Sequence, residues 1–188
     1  VYDVVDGENH PSGVGYVVLR SGGEVVDFPI VRSGPALSER RIAAEVQRRV
    51  NAERAYRGLA PLAWDPALGA TAGAWAPELV GSFEHSNLSA TLNSLGGSMT
   101  WMGENLYWGS GANADAASAH IGLMQSTPHR SSLLSPNYTS IGVGIHCSGG
   151  NLYVVQHFGR DAAAGPGSSS PTAPAAPLTQ SGADSVGC

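Results

Sequence analysis

The chain has no lysine, only two cysteines and no long apolar run. All ten basic residues among its 188 are arginine, so a Schiff-base mechanism through lysine is excluded. Charged residues make up 13% of the chain, about half of the usual share. The net charge of −5 argues against the basic surface that binding of nucleic acids normally needs. No stretch approaches the ~18 apolar residues of a membrane-spanning helix, so we expect neither a nucleic-acid partner nor a transmembrane segment.

The first residue and the two cysteines leave alternatives open. The chain begins at Val1 rather than at methionine, which is typical of a fragment or of a processed form, for instance after removal of a signal peptide. A disulfide between Cys147 and Cys188 would close a loop of about 40 residues and contribute about 4 kcal/mol to stability on the chain-entropy model. An even count permits this bridge but does not require it. Two unpaired thiols fit equally well, and the terminal cysteine could also pair with sequence beyond the chain.

Composition divides the chain into three parts. In residues 1–35, the runs GYVVLR and EVVDFPI flank SGG, which predicts a β-hairpin, and Pro29 restricts its second strand to a sheet edge. Residues 36–160 carry the organised pattern of a domain. Residues 161–188 contain one leucine, one valine and no aromatic residue, and such a segment buries too little area to repay its ordering entropy. We interpret it as a flexible tail, of the kind that could associate a domain with a cell wall.

The middle part predicts helices first and paired strands last. Ser38 is a good N-cap for a first helix, and Gly58 a natural end for it. Asp65 and Pro66 begin a second helix, and a third extends over about Asp115–Gln125. The runs IGVGIH and NLYVVQHF, joined by CSGG, predict an antiparallel hairpin. This order is typical of an α+β fold rather than of a parallel βαβ repeat.

One acidic residue lies within a segment rich in apolar residues. In WMGENLYWGS, Glu104 lies among two tryptophans, a tyrosine, a leucine and a methionine. Burying an acidic side chain costs free energy unless a partner is present. The segment therefore predicts that specific residues elsewhere in the chain pair with Glu104.

The histidines are the candidate partners. His85, in SFEHSNL, and His129, in STPHRSSLL, lie where a loop or a helix end can aim a ring into a site. His146 and His157 lie on the two late strands, where they could face each other across the hairpin or play a structural role. His120 is interpreted as a surface or core residue of the third helix.

Standard catalytic and metal-binding motifs are missing. The sequence contains no G-x-S-x-G elbow, so a Ser-His-Asp triad would depend on chance proximity among many serines. A nucleophile at Cys147 is disfavoured because this cysteine interrupts a strand-turn. Neither HExxH nor a CxxC pair occurs, and there is no GxGxxG or P-loop pattern.

Five segments in a fixed order carry a family resemblance: VNAERAYRGLAPLAWDPALGATAGAWA, FEHSN, GENLYWG, STPHRSSLLSPNYTSIGVGIH and LYVVQHFG. Together they resemble the CAP superfamily of cysteine-rich secretory proteins, venom allergens and plant pathogenesis-related proteins, and in particular its bacterial SCP-like branch. The resemblance covers about residues 40–160. It implies an α-β-α sandwich with a central cleft, here with an extra N-terminal β-hairpin and a disordered C-terminal tail, in a secreted, extracellular protein.

The resemblance also implies a set of cleft residues. The family's cleft is lined by two histidines and two acidic residues that can hold a divalent cation such as zinc. By motif, His85 and His129 are the histidines and the metal ligands, and Glu104 is the first acid. Ser126 stands where the second acid is expected, which leaves a weaker metal site. Without metal, Glu104 would hydrogen-bond His129 and the region of Asn105.

We therefore expect a secreted bacterial CAP-domain protein that binds a ligand in its cleft, either a lipid or sterol or another small ligand. Trp101, Tyr107 and Trp108 are candidates for lining a ligand groove, with core packing as the alternative for these rings. A metal-assisted or general-base hydrolase acting on peptides is the rival hypothesis. Loss of the second acid at Ser126 favours binding over catalysis. A third hypothesis is a cell-wall interaction module attached through the tail.

Overall fold

The computed structural model describes residues 3–5, 15–21, 24–30, 37–163 and 186–188. The chain divides into two units, Val1–Gly34 and Pro35–Cys188. The first unit is an antiparallel sheet of three strands in chain order. Its strands are β1 (Asp3–Val5), β2 (Gly15–Ser21) and β3 (Glu24–Ile30).

The predicted N-terminal hairpin is confirmed. β2 and β3 pair in a register that extends from Ser21 opposite Glu24 to Gly15 opposite Ile30. β3 is an edge strand, as the position of Pro29 predicted. β1 was not anticipated, and the turn residues 22–23 lie outside the described part of the chain.

The second unit combines helices with a four-stranded sheet. Two 3-10 turns, Ala76–Val80 and Gly111–Asn113, connect its elements. The elements in chain order are α1 (Leu37–Tyr56), β4 (Ala63–Trp64), α2 (Pro66–Trp75), α3 (Leu88–Ser94), β5 (Met99–Ser110), α4 (Ala116–Gln125), α5 (Thr127–Leu133), β6 (Ser140–Ser148) and β7 (Asn151–Asp161).

The strand order in this sheet is β4-β6-β7-β5. β6 and β7 form the predicted antiparallel hairpin, β5 pairs antiparallel with β7, and the short β4 pairs parallel with β6. β5 therefore occupies one outer edge of the sheet. Its position brings Glu104 directly opposite His157 of β7.

Helices cover both faces of the sheet. On one face, Ile141, Val154 and Phe158 pack in a core that includes Ile42 of α1 and Ala119 of α4. On the other face, the segment from α2 to α3 packs against side chains of β5 and β7 in two further clusters. The predicted α-β-α sandwich is thereby confirmed.

Two glycines of β6 let α2 approach the sheet backbone. A Cβ at Gly142 would lie 2.1 Å from the backbone nitrogen of Gly69, and one at Gly144 would lie 2.1 Å from the carbonyl oxygen of Ala72. Any side chain at these positions would push the helix away. The close approach matters for function because α2 also carries Thr71, which contacts the buried site described below.

The helix boundaries agree with the local signals at most ends. Gly58 ends α1 with φ of 70°, and the Leu59 N–H donates to the Arg54 carbonyl at 2.9 Å, which is a typical glycine-dependent helix end. Asp65 caps α2 by accepting from the Leu68 N–H at 2.7 Å. The predicted N-cap at Ser38 is wrong, since α1 begins at Leu37. Ser38 is tolerated there because the N–H groups of a first turn have no intrahelical partner.

The C-terminal residues are attached to the domain. A disulfide joins Cys147 and Cys188, which settles the open question of the two thiols. Gly187 forms a bridge with Asp115, and the Cys188 N–H donates to the Ala114 carbonyl at 3.0 Å. Within the segment 161–188, for which we predicted a flexible tail, the last three residues are held at the start of α4 by this bridge. Most of that segment, 164–185, lies outside the described residues.

Across the described segments, no helix combines the length and the apolar character needed to cross a bilayer.

Candidate functional site

Glu104 lies at the centre of a hydrogen-bond network and its side chain is fully buried. Its Oε1 accepts from His85 Nδ1 at 2.6 Å and from the Ser86 N–H at 3.0 Å. Its Oε2 accepts from His157 Nε2 at 2.9 Å. The partners of this carboxylate are therefore two imidazoles and one backbone amide. His85 was predicted as a partner, whereas the second imidazole is that of His157 and not that of the predicted His129.

The network favours the ionised carboxylate. Burial by itself would raise the pKa of Glu104, but hydrogen bonds from His157, from Ser86 and from His85 outweigh it, so its pKa lies below the usual range. The backbone N–H is the donor that Ser86 supplies, since its own hydroxyl is buried without a hydrogen-bond partner. Glu104 is thus an acceptor for all three neighbours near neutral pH.

His157 extends the network into the core, and sequence reasoning missed its role. Its ring is buried, and Nδ1 lies 2.9 Å from the Thr71 hydroxyl, which in turn lies 3.0 Å from the Leu68 carbonyl. His157 does not face His146 across the hairpin, because it pairs with Gly142 and His146 pairs with Tyr153. Only the β5–β7 register, which joins residues 53 apart in sequence, brings His157 to Glu104.

His85 is the exposed end of the same network. Most of its side chain faces solvent, with 60% exposed. An ionised carboxylate only accepts, so Nδ1 of His85 carries a proton and donates it to Glu104. In the neutral ring the lone pair is then on Nε2, the nitrogen that Glu104 does not hold. Such an orientation suits a general base or a metal ligand.

His129 and Ser126 lie at the start of α5. His129 is close to the pair formed by His85 and Glu104, which we call the dyad. The His129 carbonyl accepts from Asn105 Nδ2 at 3.1 Å, which attaches α5 to β5. Burial, together with the nearby charge of His85, lowers the pKa of the His129 ring. We expected Glu104 to contact the region of Asn105. In the structure the Asn105 side chain instead contacts His129, through the backbone carbonyl of His129 and not through its ring.

A groove of about 630 Å³ opens beside these residues at the outer edge of β5. Its polar lining includes Ser126 and His129, and Tyr107 and Trp108 are also part of it. Trp101 lies elsewhere, with its ring centre 6.4 Å from that of Tyr138. The main apolar side chains of the groove are Leu79, Phe83, Leu106, Trp108, Leu123 and Tyr153.

The comparisons with known proteins identify the family. The sequence profile of the cysteine-rich secretory protein family, CAP, matches residues 47–158. The chain belongs to the CAP family. It is also similar to the protein YkwD of Bacillus subtilis, at 31% identity over 123 residues that cover 62% of this chain and 46% of YkwD. The chain thus spans about half the length of that curated relative.

Solved structures share the CAP fold at low sequence identity. An extracellular protein containing an SCP domain from Bacillus anthracis superposes with a TM-score of 0.58 at 18% identity, covering 85% of this chain and 60% of that one. An outer surface protein from Borrelia burgdorferi superposes with a TM-score of 0.59 at 16% identity, covering 68% of this chain and 98% of that one. At these identities the likeness establishes the fold alone.

The zinc site that the CAP resemblance implies does not fit a catalytic metal centre in this chain. Within residues 37–163 and the other described segments, no group of three or more His, Cys, Asp and Glu side chains is placed to hold a metal ion. Catalytic zinc normally has three protein ligands. Both oxygens of Glu104 are engaged by donors, and Ser126 replaces the other acid. The metal prediction therefore depends on His85 and His129 alone.

Proposed function

We propose that this CAP domain is an exported binding protein whose groove takes a small amphipathic ligand, such as a fatty acid or a sterol. The observation that carries the proposal is the groove itself, which combines a largely apolar lining with the polar side chains of Ser126 and His129. Ligand sites in proteins commonly have this composition.

The apolar walls supply the affinity in this proposal. Phe83 and Trp108 line the groove and remain 52% and 51% exposed. Covering such rings removes apolar surface from water at about 25 cal/mol per Å². Exposed aromatic side chains that flank a concave surface are a common feature of binding sites.

The polar residues orient the ligand. Ser126 and His129 line the groove, and His85 lies near enough for its charge to lower the pKa of His129. A hydroxyl or carboxylate head group would find donors among these side chains. The ligand's apolar part would then lie along Leu79, Phe83 and Trp108.

Export is supported by the disulfide between Cys147 and Cys188, because disulfides persist mainly in oxidising compartments. The Bacillus anthracis structure is that of an extracellular protein, and the Borrelia burgdorferi one is that of an outer surface protein. A role at the cell wall remains an alternative within the same location.

Binding is favoured over hydrolysis. The dyad of His85 and Glu104 has the geometry of an oriented base. However, in the described part of the chain, the hydrogen bonds of the His85 ring lead to Glu104 and not to a serine, threonine or cysteine that could act as the nucleophile. A hydrolase would therefore have to activate water directly.

The test is a fluorescence titration with two probes, the fatty acid cis-parinaric acid and the sterol dehydroergosterol. We expect saturable binding of at least one probe, weakened about tenfold, or about 1.4 kcal/mol, by Trp108→Ala. Trp64→Ala is the matched control, because Trp64 is a similarly exposed tryptophan on β4, at the opposite edge of the sheet. Absence of saturable binding, or equal weakening by both substitutions, would contradict the proposal.

A further inference from the structure

Among the described residues, no strand lies beside the outer edge of β5. β5 is the last strand in the order β4-β6-β7-β5, and among the described residues it pairs with β7 only. Edge strands present a row of backbone N–H and C=O groups that can pair with another chain. The hydrogen-bond pattern between β5 and β7 determines which residues of β5 direct their backbone groups outward.

Along β7, successive residues direct their backbone N–H and C=O groups alternately toward β6 and toward β5. The Thr139 N–H donates to the Gly159 carbonyl, so Gly159 directs its backbone groups toward β6. In an antiparallel ladder the next residue directs them to the other side. Even-numbered residues of β7, such as Val154, therefore bond to β5, and Val154 lies opposite Tyr107. It follows that Leu106 and Trp108 direct their N–H and C=O groups away from the sheet.

These outward groups face the groove. Leu106 and Trp108 both line it, and the backbone hydrogen bonds found outside the regular helices and strands of the described chain do not involve either residue. Ser126 and His129 also line the groove. The groove therefore combines an unpaired strand edge with apolar side-chain pockets.

We propose that the groove binds an extended peptide segment of another polypeptide, which adds to the sheet as a fifth strand beside β5. The peptide backbone pairs with Leu106 and Trp108. Alternate side chains of the peptide point into the apolar wall formed with Leu79 and Phe83. The inference rests on the proposed function only in that the same groove is the binding site. It adds a polypeptide as a second class of ligand for that groove.

The geometry favours a single extended strand over other occupants. Leu106 and Trp108 are two residues apart, about 7 Å, which is the repeat at which an added strand pairs. A lipid chain would leave their N–H and C=O groups without partners. Pairing with β5 of a second copy is restricted because the Asn105–His129 contact holds α5 against one part of the edge. The open part is therefore short and suits one narrow chain.

The first experiment is amide hydrogen exchange followed by NMR, with a capped eight-residue peptide of alternating threonine and leucine as the probe. We expect the peptide to slow exchange of the Leu106 and Trp108 amides about tenfold or more, as for newly formed ladder hydrogen bonds. The amides of Asn105 and Tyr107 are internal controls. They already face β7, so their exchange should slow less than that of Leu106 and Trp108, and only through the overall stabilisation that binding brings. Equal slowing at all four positions, or slowing at none, would overturn the proposal.

The second experiment uses peptides of the same sequence that are N-methylated on alternate amides. Two such peptides exist, one methylated on each side of the strand. We expect one to bind like the parent and the other at least about tenfold more weakly, since only one side pairs with β5. Equal binding of the two would show that the backbone is not recognised.

The third experiment separates the backbone from the side chain at position 108. Trp108→Val removes the ring but keeps the outward N–H. Trp108→Pro removes both, and proline is tolerated at an edge where its nitrogen faces outward. We expect the proline variant to bind the peptide at least about tenfold more weakly than the valine variant. If the proline variant fails to fold, the methylated peptides still decide the question.

The outcomes distinguish this inference from the proposed function. Binding of cis-parinaric acid without any binding of the peptide at millimolar concentration would support a small-ligand groove and overturn the added strand. Peptide binding without binding of either lipid probe would support the added strand and contradict the small-ligand groove. A peptide-free dimer by sedimentation, with protected Leu106 and Trp108 amides, would assign the edge to a second copy and overturn the inference.

Discussion

Two buried histidines, His157 and His120, each lie near a glutamate, but in different surroundings. His157 and Glu104 are joined by a hydrogen bond of 2.9 Å, and the other ring nitrogen of His157 contacts Thr71. His120 Nε2 lies 3.9 Å from Glu53 Oε2, beyond hydrogen-bonding distance, and its Nδ1 has no partner. The first pair is satisfied at every polar atom of the ring, and the second is not.

The surroundings also differ in charge. His120, on α4, faces α1, where Glu53 is paired with Arg57 and Arg49 is largely buried as well. Burial lowers the pKa of His120 to about 4, opposed by the charge of Glu53 and assisted by that of Arg49. His120 is therefore a neutral ring inside a polar contact between two helices.

The comparison shows which pair is connected to the candidate site. The network of Glu104 continues outward to His85, whose side chain is mostly exposed to solvent. The contact of His120 ends within the layer of α1 and α4. The pair of His157 and Glu104 thus belongs to the candidate site, whereas the pair of His120 and Glu53 belongs to the packing of α1 and α4. The hydrogen-bond geometry distinguishes the two pairs.

Replacing each of the two glutamates separately should give the largest difference in the free energy of unfolding. Glu104→Leu leaves two imidazoles and the Ser86 N–H without their acceptor, and breaking such a buried pair costs about 3–5 kcal/mol. Glu53→Leu should cost about 1 kcal/mol or less, because it mainly removes a partly exposed pair with Arg57. Urea unfolding at pH 7 measures both. Tryptophan fluorescence reports the second unit, which contains all four tryptophans.

The prediction depends on the difference between the two substitutions. An equal loss of stability would show that the hydrogen-bond geometry does not distinguish the pairs. Glu104→Gln is a further control, since it keeps the shape and one acceptor oxygen. We expect its free energy of unfolding to lie between those of the native protein and Glu104→Leu.

Acid should destabilise the protein through His120. Its pKa is about 4 in the folded chain and about 6.5 when unfolded, so between these values the unfolded chain binds more protons. The free energy of unfolding therefore falls as the pH drops from about 6.5 to about 4, by up to about 3 kcal/mol. The lowered pKa of Glu104 acts in a more acidic range, since its contribution to stability is lost only as the pH falls below the usual carboxyl range.

His120→Leu tests whether His120 causes this dependence of stability on pH. The substitution removes the titrating ring and its unpartnered nitrogen, so the fall in the free energy of unfolding below about pH 6.5 should become clearly smaller. The part that persists is expected from His129, whose pKa is also lowered. Urea midpoints at several pH values measure the slope, and a slope as steep as that of the native protein would show that His120 does not cause the acid sensitivity.

Zinc should give the smallest effect. Only His85 and His129 remain as ligands, so calorimetry should detect weak binding at most, and the heat should disappear in both His85→Ala and His129→Ala. His120→Ala is the matched control and should behave like the native protein. Replacing His85 removes one of the two donors to Oε1 of the buried Glu104, so it should lower the free energy of unfolding by about 1–2 kcal/mol, less than Glu104→Leu. No heat in the native protein would end the metal hypothesis.

The sequence predicted the elements that depend on local chemistry. Gly58 ends a helix, Asp65 begins one, and the CSGG hairpin joins two strands, because capping and turn geometry are decided by a few neighbouring residues. The family resemblance supplied the dyad of His85 and Glu104. These two residues come from different segments, and no spacing rule joins them.

Three features could not be read from the sequence. β5 was not predicted as a strand, because Glu104, Asn105 and Leu106 are all buried in succession. Layers on both faces remove the alternation that marks a half-buried strand. His157 was placed on a strand but not beside Glu104, since the register between β5 and β7 is a property of the assembled sheet. Trp101 shares a segment with Trp108, yet it contacts Tyr138 rather than the groove.

The bond between Cys147 and Cys188 has a consequence for how the protein tolerates proteases. The two cysteines are 41 residues apart in sequence, so one backbone cut between them leaves both fragments covalently joined. The bridge of Gly187 with Asp115 would stay in place at the start of α4 after such a cut. A nicked protein would gain one water in mass, migrate as a single species without reductant, and separate into two only when the disulfide is reduced.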